Sequence, residues 1–470
     1  MSTGERDTIA EPTPVENSTT NRKQPFPQGF LDTISTGWAE RPESLPGARA
    51  QAPFAAARRA AVSAAFSGKR LVVEAGSLKQ RSNDTDYVFR AHSAFAHLTG
   101  WASDAEPDSV LVFDPTDAGH AVTLYFRERA DRTTTEFYAD ATVGEFWIGP
   151  RPSLAGVAAD LAVDTDHLDA FTAGADDVTL DDEEFARFVS ELRLIKDEFE
   201  IAEMRRAVEI TAAGFDDIIR ALPQAIEHAR GERVVEGVFH RRAREDGNGE
   251  GYDTIAASGP HACYLHWTRN DGTVVPGDLI LVDAGVEADS LYTADITRTL
   301  PVSGTFTEVQ RRVYETVREA ADAAFAAAKV GVAFREVHGA AMKVIAARTA
   351  EWGMLPVTAE EALDADAGGQ HRRYMVHGTS HHLGIDVHDC AQARREMYYD
   401  GILAPGMVFT IEPGLYFQID DLTVPAELRG IGVRIEDDIL MTEDGPVNLS
   451  AGIPRTADEV EAWMARLQQG

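Results

Sequence analysis

Apolar residues recur at helical spacing in several stretches of the chain. Ile201, Met204, Val208, Ala212 and Phe215 fall three or four apart, which places them on one face of a helix. Asp197, with Glu200 three residues on, supplies a capping box to start it. Thr307 with Gln310 opens a second long helix that runs to about Lys329, where Gly331 can cap it. A third begins near Thr456, with Glu459 three on, and an Ala-rich stretch over roughly residues 53–67 reads as a fourth.

Between the helices lie short apolar runs of strand type. LVVEAG, SVLVFDP and AVTLYFRE are three of them, the last two separated by the turn-like DAGH. These patterns predict an α+β protein in three parts. Residues 1–28 are polar, rich in Ser, Thr and Pro, and read as a flexible tail. Residues 29–190 form a smaller α/β N-terminal domain, and residues 191–470 a second domain that the Asp197 helix opens. The N-terminal domain carries no metal cluster or nucleophile signature, so its expected role is oligomer contact or shaping a neighbouring site. No short-period repeat is present, which argues against a solenoid.

Charge narrows the partners. The 470 residues include 44 Lys and Arg against 77 Asp and Glu, a net charge of −33. Nucleic-acid surfaces and anionic membrane faces need clustered basic residues, so neither partner is expected. A hydrophobic content of 44% excludes wholesale disorder. No run of 18 apolar residues occurs, and the N-terminus lacks the apolar core of a signal peptide. Only Cys263 and Cys390 are available for disulfides, which fits a reducing compartment. The expected location is the cytoplasm.

The chemistry concentrates between residues 260 and 440. Five of the 14 histidines (His371, His377, His381, His382 and His388) lie within 18 residues. Around them, carboxylates end or interrupt apolar strands: Asp283 in LILVDAG, Asp295 in LYTADITRT, Glu412 in MVFTIEPG and Glu436 in GVRIEDDI. A hairpin through the ADS segment would set Asp283 and Asp295 side by side, where two carboxylates repel unless a cation intervenes. Carboxylates with one imidazole suit Mn, Co or Zn rather than Cu(I) or iron–sulfur clusters. Strand alternation places Thr297 with Asp295, Thr410 with Glu412 and Arg434 with Glu436, as groups that orient carboxylates. His371 reads as a surface residue, His382 as a non-ligand and the two cysteines as small buried hydrophobes.

The series VDAG, ADITRT, HGTSHHLGIDVHD, IEPGLYF and RGIGVRIEDD, in that order, resembles the motifs of the proline-specific, pita-bread-fold metallopeptidases of the aminopeptidase P family. The resemblance is strong over residues 190–470; FRAHSAFAHLTGW is similar more loosely to that family's N-terminal domain. It implies a pita-bread catalytic domain and a site for two divalent ions, usually Mn²⁺, with Co²⁺ or Zn²⁺ as alternatives. Asp283, Asp295, His381, Glu412 and Glu436 match the ligands, Asp295 and Glu436 the bridging ones. His266 matches a histidine near the scissile bond, His377 one at the mouth of the substrate pocket, and His388 a proton shuttle. Tyr416 and Arg434 match supporting positions. Twelve positions separate Asp283 from Asp295, where many relatives have eleven, so a bulge or a longer turn is expected there.

The same resemblance implies release of the N-terminal residue from peptides with proline second, by a homo-oligomer (dimer or tetramer). Glu412 would take a proton from the attacking water. His266 and His388 would stabilise the tetrahedral intermediate and protonate the leaving proline nitrogen. The alternative is a prolidase, which cleaves Xaa-Pro dipeptides with the same ligands. A metal-free creatinase-like enzyme or a peptide-binding pita-bread protein would lack several ligands. A methionine aminopeptidase would not need the N-terminal domain and reads differently around DITRT.

Overall fold

The computed structural model describes residues 26–41, 45–83 and 85–468. The tail read over residues 1–28 therefore lies, up to residue 25, outside the described residues. Gln28–Ile34 is a short helix.

The Ala-rich stretch is a helix over Ala52–Ala65. LVVE, over Leu71–Glu74, pairs antiparallel with Val110–Thr116, which returns as the hairpin strand Gly119–Phe126. Asp164–His167 adds to that sheet in parallel. FRAHSAFAHLTGW encloses a buried helix, Ser93–Thr99, ended by Gly100 in the left-handed region. The N-terminal unit is thus a four-stranded mixed sheet with helices packed on it.

Both capping boxes form. Asp197 and Glu200 open the helix Glu198–Glu227, and Thr307 and Gln310 open Glu308–Ala327. The latter ends at the cap Ala328, and Gly331, at φ +88°, lies beyond it in the following turn. Each long helix folds back on a partner, Gly231–Asp246 and Arg335–Glu351 respectively. The final helix is Ala457–Gln468. The helices cover antiparallel sheets, Ile255–Ser258 with Leu279–Ala284 and Ile296–Pro301, and Val408–Ile411 with Asp437–Thr442 and Gly445–Asn448. A pair, Gly414–Tyr416 with Gly432–Arg434, completes this pita-bread domain. Thr297 and Thr299 join the sheets. The Thr297 carbonyl accepts from the Glu436 N–H at 3.1 Å, and the Thr299 hydroxyl donates to the Arg434 carbonyl at 3.0 Å. Among the described residues no helix is long and apolar enough to cross a membrane.

The N-terminal unit docks against the site's own loops. Arg90 donates to Glu287 at 2.6 Å and to the Ile385 carbonyl at 2.6 Å. Tyr292, three residues before Asp295, donates to Glu200 at 2.7 Å, and Arg58 from the Ala52 helix lies 3.2 Å from the same carboxylate. These contacts hold the N-terminal unit against the segments that carry Glu287, Tyr292 and Ile385.

Candidate metal centre

Asp283 lies on a fully buried strand, as LILVDA requires, but its cross-strand partner is Thr297 rather than Asp295. Asp295 sits just before the strand Ile296–Pro301. No bulge interrupts the ladder. The connection is a longer turn, whose Val286–Glu287 segment leaves to pair with Gly249–Glu250. Gly285 permits this fold-back, because a Cβ there would stand 1.6 Å from the Ala294 carbonyl oxygen. A pairing rule that sees only two strands and a turn misses such a detour.

The two aspartates nevertheless meet. The Tyr252 hydroxyl lies 2.7 Å from Asp283 Oδ1 and 2.5 Å from Asp295 Oδ1. Glu436 falls in the break between Gly432–Arg434 and Asp437–Thr442, not within a strand. It accepts from the Thr297 hydroxyl at 2.7 Å, so Thr297 serves Glu436 rather than Asp295. Arg434 likewise serves Asp283 instead of Glu436, through its Nη2, while its Nε reaches Thr297 at 3.0 Å. Thr410 receives the His381 N–H at 3.2 Å and stands 3.5 Å from Glu412. Alternation predicted the faces; the partners come from strands remote in sequence.

One oxygen or nitrogen from each of Asp295, His381 and Glu436 lies within 4.8 Å of the others. His381 Nδ1 donates to the His382 carbonyl at 3.1 Å, which leaves Nε2 facing Asp295 Oδ2 at 3.3 Å and Glu412 Oε1 at 3.5 Å. In its neutral form that tautomer would offer the Nε2 lone pair to a cation held among the carboxylates. Burial and the Asp295 and Asp283 charges push Glu436 well above the carboxylate range. Burial, opposed by His381, raises Glu412 to about 7. Burial alone would lower His381, but the carboxylates of Asp295 and Glu412 outweigh it and hold the ring near 9. Four crowded carboxylates with one imidazole and one guanidinium form a site whose charge a divalent cation would balance. The donor set fits hard or borderline divalent metals.

Around this centre, Arg434 donates to Tyr416 Oη at 3.1 Å, and Tyr416 in turn donates to His377 Nε2 at 2.8 Å. His377 Nδ1 gives its proton to the Gly378 carbonyl at 2.7 Å. Burial and Arg434 lower this ring to about 3, so it is neutral. His388 packs edge-on to His381, with ring centroids 4.2 Å apart. Partial burial, with His381 and His266 nearby, lowers it to about 4. His266 is exposed, on the loop after Ile255–Ser258.

His382 is buried between the rings of Phe334 and Tyr398, away from the cluster, as expected. His371 corrects its surface reading. It is 4% exposed, inside a short turn over Gln370–Arg373. Both thiols are buried and pushed up to about 12 by that burial, so neither is reactive. Sequence reasoning missed Tyr252 and Asp438. Asp438 accepts the Asp295 N–H at 3.2 Å and gives only one local sign of itself, a third acid in IEDD on an otherwise apolar strand.

Asp389 anchors the loop of His388. It accepts from Arg193 at 2.8 Å and Lys196 at 3.1 Å, all three buried. Burial would raise this carboxyl, but Lys196 and Arg193 hold it down at about 2. A depressed carboxyl contributes stability above its unfolded value near 4, and that contribution fades as pH falls toward 2. Asp389→Asn should therefore cost about 2 kcal/mol or more at pH 7, and the gap to wild type should shrink between pH 4 and 3. Urea midpoints across that range check this; a constant gap would contradict it.

A buried cluster of carboxylates around a single imidazole, in a pita-bread fold, defines the class of divalent-metal hydrolases. The profile of metallopeptidase family M24 matches residues 202–443, and that of the aminopeptidase P N-terminal domain matches residues 55–179. The chain belongs to metallopeptidase family M24. It is 49% identical to Xaa-Pro aminopeptidase 1 of Streptomyces coelicolor, over 99% of each chain. It is similar to an Escherichia coli aminopeptidase P variant in complex with substrate, with a TM-score of 0.75 and 31% identity over 90% of this chain and 100% of that one. A zinc-substituted form of the E. coli enzyme in complex with product gives the same score and identity, over 90% and 99%.

Proposed function

We propose that this protein is a metal-dependent aminopeptidase that releases the first residue from peptides whose second residue is proline. The observation that carries the reading is the convergence of Asp283, Asp295, His381, Glu412 and Glu436 in one buried place, in a chain similar end to end to Xaa-Pro aminopeptidases. These five residues would hold two divalent ions, with Asp295 and Glu436 as the ligands proposed to serve both. Manganese is the proposed metal, and the hard, oxygen-rich donor set supports it over softer ions. Bound divalent ions polarise the scissile carbonyl and activate water.

The chain's own groups do the rest. Glu412, beside His381 at 3.5 Å, is the carboxylate proposed to take the proton of the attacking water. His388, packed on His381, and His266, on the loop after Ile255–Ser258, are the groups proposed to steady the tetrahedral oxygen and pass a proton to the proline nitrogen. The chain Arg434, Tyr416 and His377 ends in a neutral ring, proposed to stand where the substrate enters. Arg434 and Thr297 orient Asp283 and Glu436, and Thr410 steadies His381 and Glu412.

The protein works as a cytoplasmic homo-oligomer in this reading. Free buried thiols support a reducing compartment, and the exposed Phe146, Trp147 and Ile148 of the N-terminal unit support self-association. The test of the function is turnover of Xaa-Pro-Xaa tripeptides against Xaa-Pro dipeptides by metal-reconstituted protein. Tripeptides should lose their first residue. Inert tripeptides beside rapidly cleaved dipeptides would make the protein a prolidase.

A further inference from the structure

The segment that leaves the strand Ile255–Ser258 at Ser258 and runs to Gly272 carries His266, and beyond Ser258 it forms no strand. One carboxylate holds it. Glu232, at the start of the helix Gly231–Asp246, is 0% exposed. Its Oε1 accepts from the Ser258 N–H at 2.8 Å and from His261 Nδ1 at 2.7 Å. Its Oε2 accepts from the Trp267 indole N–H at 2.9 Å and from the Gly272 N–H at 2.6 Å. An ionised carboxylate only accepts, so His261 carries its proton on Nδ1. All four donors belong to the segment that presents His266, and they grip it on both sides of that residue.

The surroundings are built for this grip. Gly272 approaches so closely that a Cβ there would stand 2.7 Å from Glu232 Oε2. His261 and Trp267, the neighbour of His266, stack with centroids 3.9 Å apart. Asn270 pins the same loop to the Ile255–Ser258 strand, accepting from the Ala256 N–H at 3.0 Å and donating to the Thr254 carbonyl at 2.8 Å. Four charge-assisted bonds are more than the bend of a solvent-edge loop requires. They fix where an exposed histidine stands.

We infer that Glu232 is a positioning residue for His266, setting through Trp267 and His261 the place at which that imidazole meets the peptide; the inference rests on the proposed role of His266. Glu232→Gln can turn its oxygen to only one donor pair, and the other pair meets an amide NH₂. On Xaa-Pro-Xaa peptides, metal-loaded Glu232→Gln should lose about ten- to hundredfold in kcat/KM, chiefly in kcat, with metal content unchanged. In a His266→Ala background the same substitution should cost less than about twofold. Trp267→Phe keeps the stack and removes one donor, so it should give a smaller loss with the same dependence on His266. That variant carries the test if Glu232→Gln fails to fold. Equal losses in both backgrounds would overturn the inference while leaving His266 its role. A fully active His266→Ala single variant would overturn that role and the inference together.

Discussion

Asp295→Asn and Glu436→Gln should each bind less than half the metal of wild type and lose about three orders of magnitude or more in kcat/KM. Each side chain is proposed to serve both ions, so removing one charge weakens two sites at once. The loss should not be a folding defect. In the metal-free protein these carboxylates crowd Asp283 and Glu412, and burial with mutual repulsion raises Glu436 well above its usual range. Glu436→Gln replaces a carboxyl that burial already keeps protonated in the metal-free protein, so that metal-free variant should unfold at a urea midpoint close to that of metal-free wild type. His388→Ala makes the contrast. Its ring packs on His381 but is not a proposed ligand, so the variant should keep its metal and lose about 10²- to 10⁴-fold in turnover. Metal analysis beside kinetics reads both. An Asp295→Asn protein with full metal content would remove the shared-ligand assignment.

Xaa-Pro-Xaa peptides should react at least about ten- to hundredfold faster than Xaa-Ala-Xaa analogues. The Xaa–Pro amide has no N–H, and the ring fixes φ near −65°. A pocket shaped to such a bond has no partner for an N–H, and an unsatisfied buried donor costs roughly 1–3 kcal/mol. Since 1.4 kcal/mol is a factor of ten, that effect alone gives the stated preference before ring contacts are counted. Competition between the two peptides at equal concentration measures the ratio of kcat/KM directly. Equal rates would show that the site reads only the free amino end.

What the sequence made legible follows the range of the interaction. The capping boxes at Asp197 and Thr307 are contacts between residues three apart, and both formed at the expected places. Asp283 in LILVDA and Glu412 just after VFTI also announced themselves, because an acid at the end of a buried strand is locally anomalous. Register was not legible. Asp283 faces Thr297 because the 285–295 connection detours to a distant strand, which no local rule foresees. The partners of Thr297 and Arg434, 139 and 151 residues away, follow from how sheets abut. His371 reads as a loop residue by composition, yet its turn packs inward. Tyr252 and Glu232 act on groups that fold back to them, and neither lies in a run that marks it out.

In the proposed mechanism, peptide cleavage depends on divalent metal held by five protein groups. Equilibrium dialysis of chelated protein against Mn²⁺, with tripeptide hydrolysis assayed at each point, tests it most directly. No activity is expected without metal, and activity should rise with occupancy to two ions per chain. Chelated protein that contains no metal and still cleaves at the full rate would contradict it.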